Sequence, residues 1–450
     1  MRIELSVPMS AEEISAAVGG SICGAHGKVI THVVTDSAEA KMGDLFIAIK
    51  GKQFDGEEYA DEAIHKGALS LSGRRKSYGI AVTDTSTALL NIASYYLKKL
   101  PYIKYKIAIT GSVGKTTTKE FLKVLLNEKY VTHASKGNLN NEIGMPLTVL
   151  STPKNAEAVI CEMGMNHSGE ISRMSKALCP DIAIITNVGT AHIGNLGSKE
   201  NIAKAKLEVV DGSKDALLII PKSEPLLSGA KGALTFALND DTADFHLLEQ
   251  HDKKIAFYKN KALIFSGRFA FSDAHLLDCL SASLSAAVMC GLTSAELNRG
   301  VFKISGENIR QKIINKKSVD FYNDCYNASE ESVYSSCKSL LAIPHYTVKS
   351  AVLGDVLELG EHSEAIHRRI GKSLCGYNLS RLYLFGNQSA FIRDGAIEGG
   401  FPPECIFYNS DATRPDITAA QIKESSARGE IILLKASRAM RLERILDFFD

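Results

Sequence analysis

One stretch of this 450-residue chain has the order of residue types that phosphate chemistry needs: Ile107-Ala-Ile-Thr-Gly-Ser-Val-Gly-Lys-Thr-Thr-Thr-Lys-Glu120. Ile107 and Ile109 read as the end of a buried strand. Gly111 and Gly114 allow a tight backbone turn whose N–H groups, with those of Ser112 and Val113, can point at an anion. Lys115 adds a positive charge, and Thr116 offers a hydroxyl to magnesium, with Thr117 beside it. Phe121, Leu122 and Leu125 continue as one face of an amphipathic helix whose positive end meets the same phosphates. The usual pattern G-x-x-x-x-G-K-[ST] would place glycine at Ile109, whereas here it comes two residues later. An ordinary strand-to-helix turn could hold Gly-Lys-Thr, but strand, glycines, lysine, hydroxyl and helix arrive in the order a phosphate cradle requires. ATP is the expected ligand.

Two further segments end apolar runs with polar side chains: Glu162-Met-Gly-Met-Asn-His-Ser-Gly-Glu170 and Thr186-Asn-Val-Gly-Thr-Ala-His192. Glu162 and His192 are the metal candidates, because carboxylate oxygen and neutral imidazole can complete a magnesium shell beside phosphate oxygens. A histidine at a strand end is as often a hydrogen-bonded structural residue, and the residues alone leave both readings open. Lys204 and Lys206 fall on different faces of a helix over Ser198 to Val210. Helical lysines are usually solvated; a partly buried one would have a lowered pKa and present a neutral amine.

These residues must be positioned by parallel sheets. Strand candidates at 107–110, 158–161, 181–187 and 216–220 alternate with helix-compatible segments, which predicts a doubly wound sheet with ligands at the carboxyl ends of its strands. A polar, strand-rich region to about residue 272 and a small-residue helix over 275–292 follow. A third αβ set has strands near 319–322, 350–353, 381–385 and 430–435. At the other end, Ser10-Ala-Glu-Glu13 predicts a capping box opening a short helix, and the region to residue 100 alternates short strands with loops. Pro101 to Lys106 reads as a linker. The expected fold is α/β in three domains: a small mixed α/β domain (1–100), a central P-loop parallel-sheet ATPase domain (101–312) and a C-terminal Rossmann-like domain (313–450).

Composition fits such an enzyme. Hydrophobic residues make up 45% and charged residues 23%, and 52 Lys+Arg against 51 Asp+Glu leave a formal charge of +1. No bulk attraction to nucleic acid or to a membrane surface is implied. No run is long enough to span a bilayer and the N-terminus lacks a signal core, so a cytoplasmic protein, expected as a monomer, is predicted. The nine cysteines include no C-x-x-C pair and read as reduced, buried thiols.

The spacing of Thr110-Gly-Ser-Val-Gly-Lys-Thr116, Gly137-Asn-Leu-Asn-Asn-Glu-Ile-Gly-Met-Pro146, Glu162-Met-Gly-Met-Asn166, Asn187-Val-Gly-Thr-Ala-His192, Ala205-Lys-Leu-Glu208, Tyr326-Asn-Ala328 and Val352-Leu-Gly-Asp-Val-Leu-Glu-Leu-Gly-Glu-His-Ser363 resembles that of the Mur ligases. These are ATP-dependent amide-forming enzymes of peptidoglycan assembly. The last motif and Gly-Asn-Leu-Asn-Asn point to the branch that adds D-Ala-D-Ala. The resemblance implies that ATP phosphorylates the terminal carboxylate of a UDP-MurNAc-tripeptide and that D-Ala-D-Ala attacks the acyl phosphate, giving an amide, ADP and phosphate. It implies catalytic roles for Lys115, Glu162, His192 and Lys206. Magnesium would be held by Thr116, Glu162, His192 and Lys206, the last as a carbamoylated lysine with Lys204 as the fallback. ATP would contact the 111–117 loop, Asp324 as the ribose-binding acid, and Asn327. Ser37, Asn138, Asn140, Asn141, Lys435 and Arg438 would contact the other substrates.

Several positions depart from the family pattern. Ala38 replaces the arginine of Asp-Ser-Arg, removing a bidentate clamp. Leu276 and Cys279 stand where two asparagines meet adenine, Asn323-Asp324 replace paired acids, Ser329-Glu330 replace Asn-Pro, and Ala436 replaces a glycine. Two alternatives follow: a degenerate homologue that binds a nucleotide or cell-wall precursor as a scaffold or sensor, or a ligase with altered substrate.

Overall fold

In the computed structural model, which describes residues 1–51, 54–306, 312–316 and 319–449, three sheets follow one another along the chain. The first contains β1 (Arg2–Ser10), β2 (Ser21–Cys23), β3 (Val29–Val34), β4 (Leu45–Ile47), β5 (Leu69–Ser72) and β6 (Gly79–Ala81), in the order β1-β3-β4-β5-β6-β2. Its middle strands are parallel and its two edge pairs antiparallel. The helix Ala11–Val18 opens with the expected capping box, Ser10 and Glu13 each accepting the other's backbone N–H. The region to residue 100 is less strand-dominated than expected. A fifteen-residue helix, Thr85–Lys99, is capped by Asp84 and buries Leu89, Ile92, Ala93 and Tyr96. The apolar spacing of three and four was present, but interspersed Thr and Ser residues obscured it.

The second sheet holds β7 (Tyr105–Thr110), β8 (Thr132–Ala134), β9 (Ala158–Glu162), β10 (Ile182–Ile185), β11 (Leu217–Pro221), β12 (Leu234–Leu238), β13 (Phe245–Glu249), β14 (Lys254–Lys259) and β15 (Ala262–Arg268). Its order is β15-β14-β13-β12-β11-β10-β7-β9-β8, parallel from β8 to β13 and antiparallel over the last two strands. Tyr105 and Lys106, read as part of a linker, already belong to β7. The fully buried runs Ile-Ala-Ile-Ile in β10 and Ala-Val-Ile-Cys-Glu in β9 suit a sheet covered on both faces. The helices Lys115–Leu126 and Ala274–Met289 pack on one face, with Phe121, Leu122, Leu125, Leu280 and Leu284 in the shared core. Serine and alanine along the second helix permit the close approach in which Ser283 Oγ donates to Thr118 O at 3.0 Å.

The third sheet contains β16 (Lys312–Asn315), β17 (Asp320–Asn323), β18 (Lys349–Gly354), β19 (Leu382–Phe385), β20 (Ile406–Asn409) and β21 (Ile431–Lys435), ordered β16-β17-β21-β18-β19-β20. Among the described residues only the β16 pairing is antiparallel. Among the described residues no helix is long and apolar enough to cross a membrane.

Candidate functional site

Strand register brings the chemistry together. Ile109 pairs with Glu162 and Thr110 with Ile185, so the carboxyl ends of β9, β7 and β10 lie side by side. The chain leaves β7 through Gly111 (φ 148°) and Gly114 (φ 86°), both on the positive side where a side chain is strained. A Cβ at Gly111 would sit 1.8 Å from Thr186 Oγ1. Gly111→Ala is therefore expected to cost about 2–4 kcal/mol, read as a melting point several degrees lower together with lost activity.

The loop is held from β10. Asn187 Oδ1 accepts from Ser112 N at 3.0 Å and Val113 N at 2.9 Å, and its Nδ2 donates to Val113 O at 3.1 Å. Gly189 N donates to Ser112 Oγ at 2.8 Å. Two N–H groups expected to face an anion thus serve the loop's own geometry, because the Asn187 side chain outcompetes open space for them. The first turn of the helix Lys115–Leu126 has no side-chain cap and can still offer N–H groups to an anion. Lys115 Nζ donates to Gly111 O at 2.6 Å, folding its charge over the loop.

Glu162, 1% exposed, accepts from Thr116 Oγ1 at 2.6 Å and Asn140 Nδ2 at 2.9 Å. Asn141 Oδ1 instead caps Gly144 N at 2.8 Å, and Asn138, Asn140 and Asn141 all line one cavity of about 560 Å³ with Lys115 and Glu162. His192 reaches this cavity on a backbone with φ 64°, its Nδ1 lying 2.5 Å from Glu358 Oε2 but out of line for a ring N–H hydrogen bond. Among the described residues no three His, Cys, Asp or Glu side chains gather to hold a metal unaided. The hard oxygen donors of Thr116 and Glu162 do converge on the cavity wall, which fits magnesium completed by ligand oxygens.

The two lysines separate cleanly. Lys206 is 3% exposed while Lys204 is solvated. Burial lowers the Lys206 amine well below its ordinary value, the Lys115 charge lowers it further, and the Glu331 charge opposes them. Neither Lys206 nor Gly111 lines the cavity.

The third sheet closes the opposite wall. Lys435, 3% exposed, donates to Asn327 O at 2.6 Å and lies 2.9 Å from Asp324 Oδ2, which also accepts from Ser336 Oγ at 2.5 Å. Arg438 lines the cavity with its guanidinium largely in solvent, 2.6 Å from Glu443. Ser37 stands apart in the first domain, where its Oγ donates to Glu62 at 2.9 Å and its carbonyl accepts from Lys66 Nζ at 2.8 Å.

Glu331 contributes to the docking of the third domain and was not singled out in the sequence. Its carboxylate accepts from Thr190 N and Thr190 Oγ1 at 2.9 Å and from Lys199 Nζ at 3.1 Å. The one local signal is an acid in the first turn of the helix Glu330–Ala342. Burial pushes its pKa up, but the Thr190 N–H and the Lys199 charge outweigh this and leave it lowered. A depressed carboxyl stabilises the fold above its unfolded pKa and stops doing so as pH falls through the folded value. Glu331→Ala is expected to cost about 1.5–3 kcal/mol near neutrality, and its melting point should match that of the unaltered chain more closely in acid.

Three family models match the chain: the Mur ligase family catalytic domain over residues 29–107, the Mur ligase middle domain over 109–270 and the Mur ligase glutamate ligase domain over 309–438. A UDP-N-acetylmuramoyl-tripeptide–D-alanyl-D-alanine ligase of Bacillus subtilis is 34% identical across 93% of both chains. The crystal structure of MurF from Acinetobacter baumannii superposes with a TM-score of 0.88 at 26% identity, covering 99% of each chain. MurF of Thermotoga maritima, solved in complex with ADP, matches with a TM-score of 0.79 at 29% identity, covering 92% of this chain and 96% of that one.

Proposed function

The chain belongs to the Mur ligase family, and from that premise we propose how its residues divide one reaction. It is an ATP-dependent ligase that joins D-Ala-D-Ala to UDP-MurNAc-tripeptide and releases ADP and phosphate. The observation that carries this reading is the single cavity into which β7, β9 and β10 deliver Lys115, Glu162 and His192 while the third sheet delivers Asp324 and Lys435.

A tripeptide carboxylate oxygen attacks the γ-phosphorus, the bond to the β-phosphate oxygen breaks, and an acyl phosphate forms. Lys115 and the first turn of the helix Lys115–Leu126 hold the transferring charge, which is the main demand of phosphoryl transfer. Thr116 and Glu162 would hold one magnesium ion, and His192 with a carbamate on Lys206 would hold a second; bound there, the metal would neutralise phosphate charge. The amine of D-Ala-D-Ala then attacks the acyl carbon, the bond to the phosphate oxygen breaks, and the nitrogen gives up a proton to solvent as the amide forms. Asp324 positions the ribose and Lys435 holds Asp324 and the Asn327 carbonyl in register. Asn138, Asn140 and Asn141 line the substrate side of the cavity, Arg438 guards its rim, and Ser37 belongs to the nucleotide-sugar domain. The docked third domain keeps water from the acyl phosphate. A monomer acting in the cytoplasm completes this reading.

The scaffold or sensor alternative is not favoured, because the departures at Ala38, Leu276 and Cys279 spare the loop, Glu162, His192 and Lys206. A coupled assay should show ADP release that requires both UDP-MurNAc-tripeptide and D-Ala-D-Ala. ATP turnover indifferent to both substrates would sink the ligase reading, and a changed nucleotide-sugar preference would show in a substrate panel.

A further inference from the structure

Lys119 is 1% exposed, a cation inside the protein to which the reaction above gives no task. Lysine is almost never buried so fully unless its ammonium is paired. Here it lies 2.9 Å from Glu120 Oε1 and donates to Ser135 O at 2.5 Å. The second bond ties the helix Lys115–Leu126 to the residue that follows β8, where the chain turns into the asparagine segment 136–141. Every residue of that segment is exposed or half-buried. Hydrogen bonds at its ends, rather than packing, must fix its place.

Ser135 is itself buried and bonds to the end of β9 twice. Its N–H donates to Ile160 O at 3.0 Å, and its Oγ accepts from Glu162 N at 3.1 Å. Five residues on, Asn140 O accepts from Gly164 N at 2.7 Å and Asn140 Nδ2 donates to Glu162 Oε1 at 2.9 Å. Thr116 Oγ1 donates to the other carboxylate oxygen at 2.6 Å. Thr116 and Lys119, three residues apart, are neighbours on one helix surface. The helix therefore grips Glu162 twice, directly through Thr116 and, through Lys119, by way of Ser135 and the segment that carries Asn140.

We propose that Lys119 is a positioning residue for the Glu162 carboxylate: it fixes the asparagine segment to the phosphate helix and so sets the orientation in which Glu162 meets a divalent cation. This rests on the reading of Glu162 as a metal-holding residue. Lys119 does not line the cavity, so it acts through Ser135 and Asn140 rather than on a ligand. Groups that orient a metal ligand from behind change metal affinity about tenfold to a hundredfold when they are removed.

Calorimetry of ADP binding to the full chain, with and without magnesium, separates this role from a loss of structure. By linkage, the factor by which magnesium tightens ADP reports how well the metal is held. Lys119→Met, which fills the same buried space, should cut that factor by about tenfold or more while binding ADP without magnesium within about twofold of the unaltered chain. Lys119→Gln stops one bond short of Ser135 O and should show the same loss, which keeps the test open where the methionine variant does not fold. Glu120→Gln spares the bond from Lys119 to Ser135 and should leave both measurements unchanged. A magnesium factor that survives in the Lys119 variants overturns the inference, as does a loss of ADP affinity that is equal with and without magnesium, the mark of a structural defect alone. An unaltered chain whose ADP affinity ignores magnesium would sink the metal reading of Glu162 as well, whereas a magnesium response indifferent to position 119 sinks this inference alone.

Discussion

Lys115→Ala is expected to lower the rate of ADP release in the presence of both substrates by about a thousandfold or more, with little change in melting point. The Lys115 ammonium lies over the loop and donates to Gly111 O and Ser112 O at 2.6 and 3.4 Å, in a loop that Asn187 and Thr186 also hold. In the proposed reaction its charge would face the place where phosphoryl oxygens gain negative charge, and only an interaction stronger in the transition state than in the ground state raises the rate. The effect should therefore fall mainly on kcat. A loss below about tenfold would mean that the helix N-terminus and metal carry the charge unaided. The same substitution has a second consequence. The Lys115 charge is one of the groups that depress Lys206, so its removal should let the Lys206 amine hold its proton to higher pH.

The phosphate loop was legible in the sequence because everything it needs is local: a strand end, two glycines, a lysine, a hydroxyl and a helix within fourteen residues. Glu162 and His192 were legible for a related reason. In a parallel sheet with right-handed crossovers, polar residues that end apolar runs must arrive at the same edge. What the sequence could not disclose depends on docking between domains. Glu331 meets Thr190 across 141 residues of chain, and no periodicity reports which surface of one domain will face another. Asn187 was visible as part of a motif, but its use as the clamp on Ser112 and Val113 depends on how far β10 extends beside β7. The lysine pair shows the boundary well. Helical spacing placed Lys204 and Lys206 on different faces, but which face is buried is decided by what packs on the helix Lys199–Leu207, namely Ile202, Ala203 and Ala205 set into the core with Lys206 beside them. The departures at Leu276 and Cys279 were also visible at once.

Lys206→Met is expected to reduce ligation by about a hundredfold or more while the chain still folds, because methionine suits the buried site and removes only the amine. Burial and the Lys115 charge lower the Lys206 amine well below its ordinary value, and the amine in its unprotonated form can attack the carbon of carbon dioxide. The N–C bond forms, an electron pair moves onto oxygen, a proton leaves to solvent, and the product is a carbamate anion that the Lys115 charge would favour. The pH dependence follows from the direction of the shift. Above its lowered pKa the amine is free to form the carbamate; as pH falls through that value the amine takes up a proton, the carbamate reverts, and activity declines on the acid side. Protein stripped of bicarbonate should lose activity and regain it on bicarbonate addition, whereas Lys206→Met should not respond. Lys206→Arg, permanently charged and unable to form a carbamate, should behave like the methionine variant if the anion matters, and would stay active if position 206 merely required a cation. Full activity of bicarbonate-free protein, or a methionine variant within about fivefold of the unaltered chain, would remove Lys206 from the proposed reaction and leave Glu162 and His192 as the candidates to hold a metal.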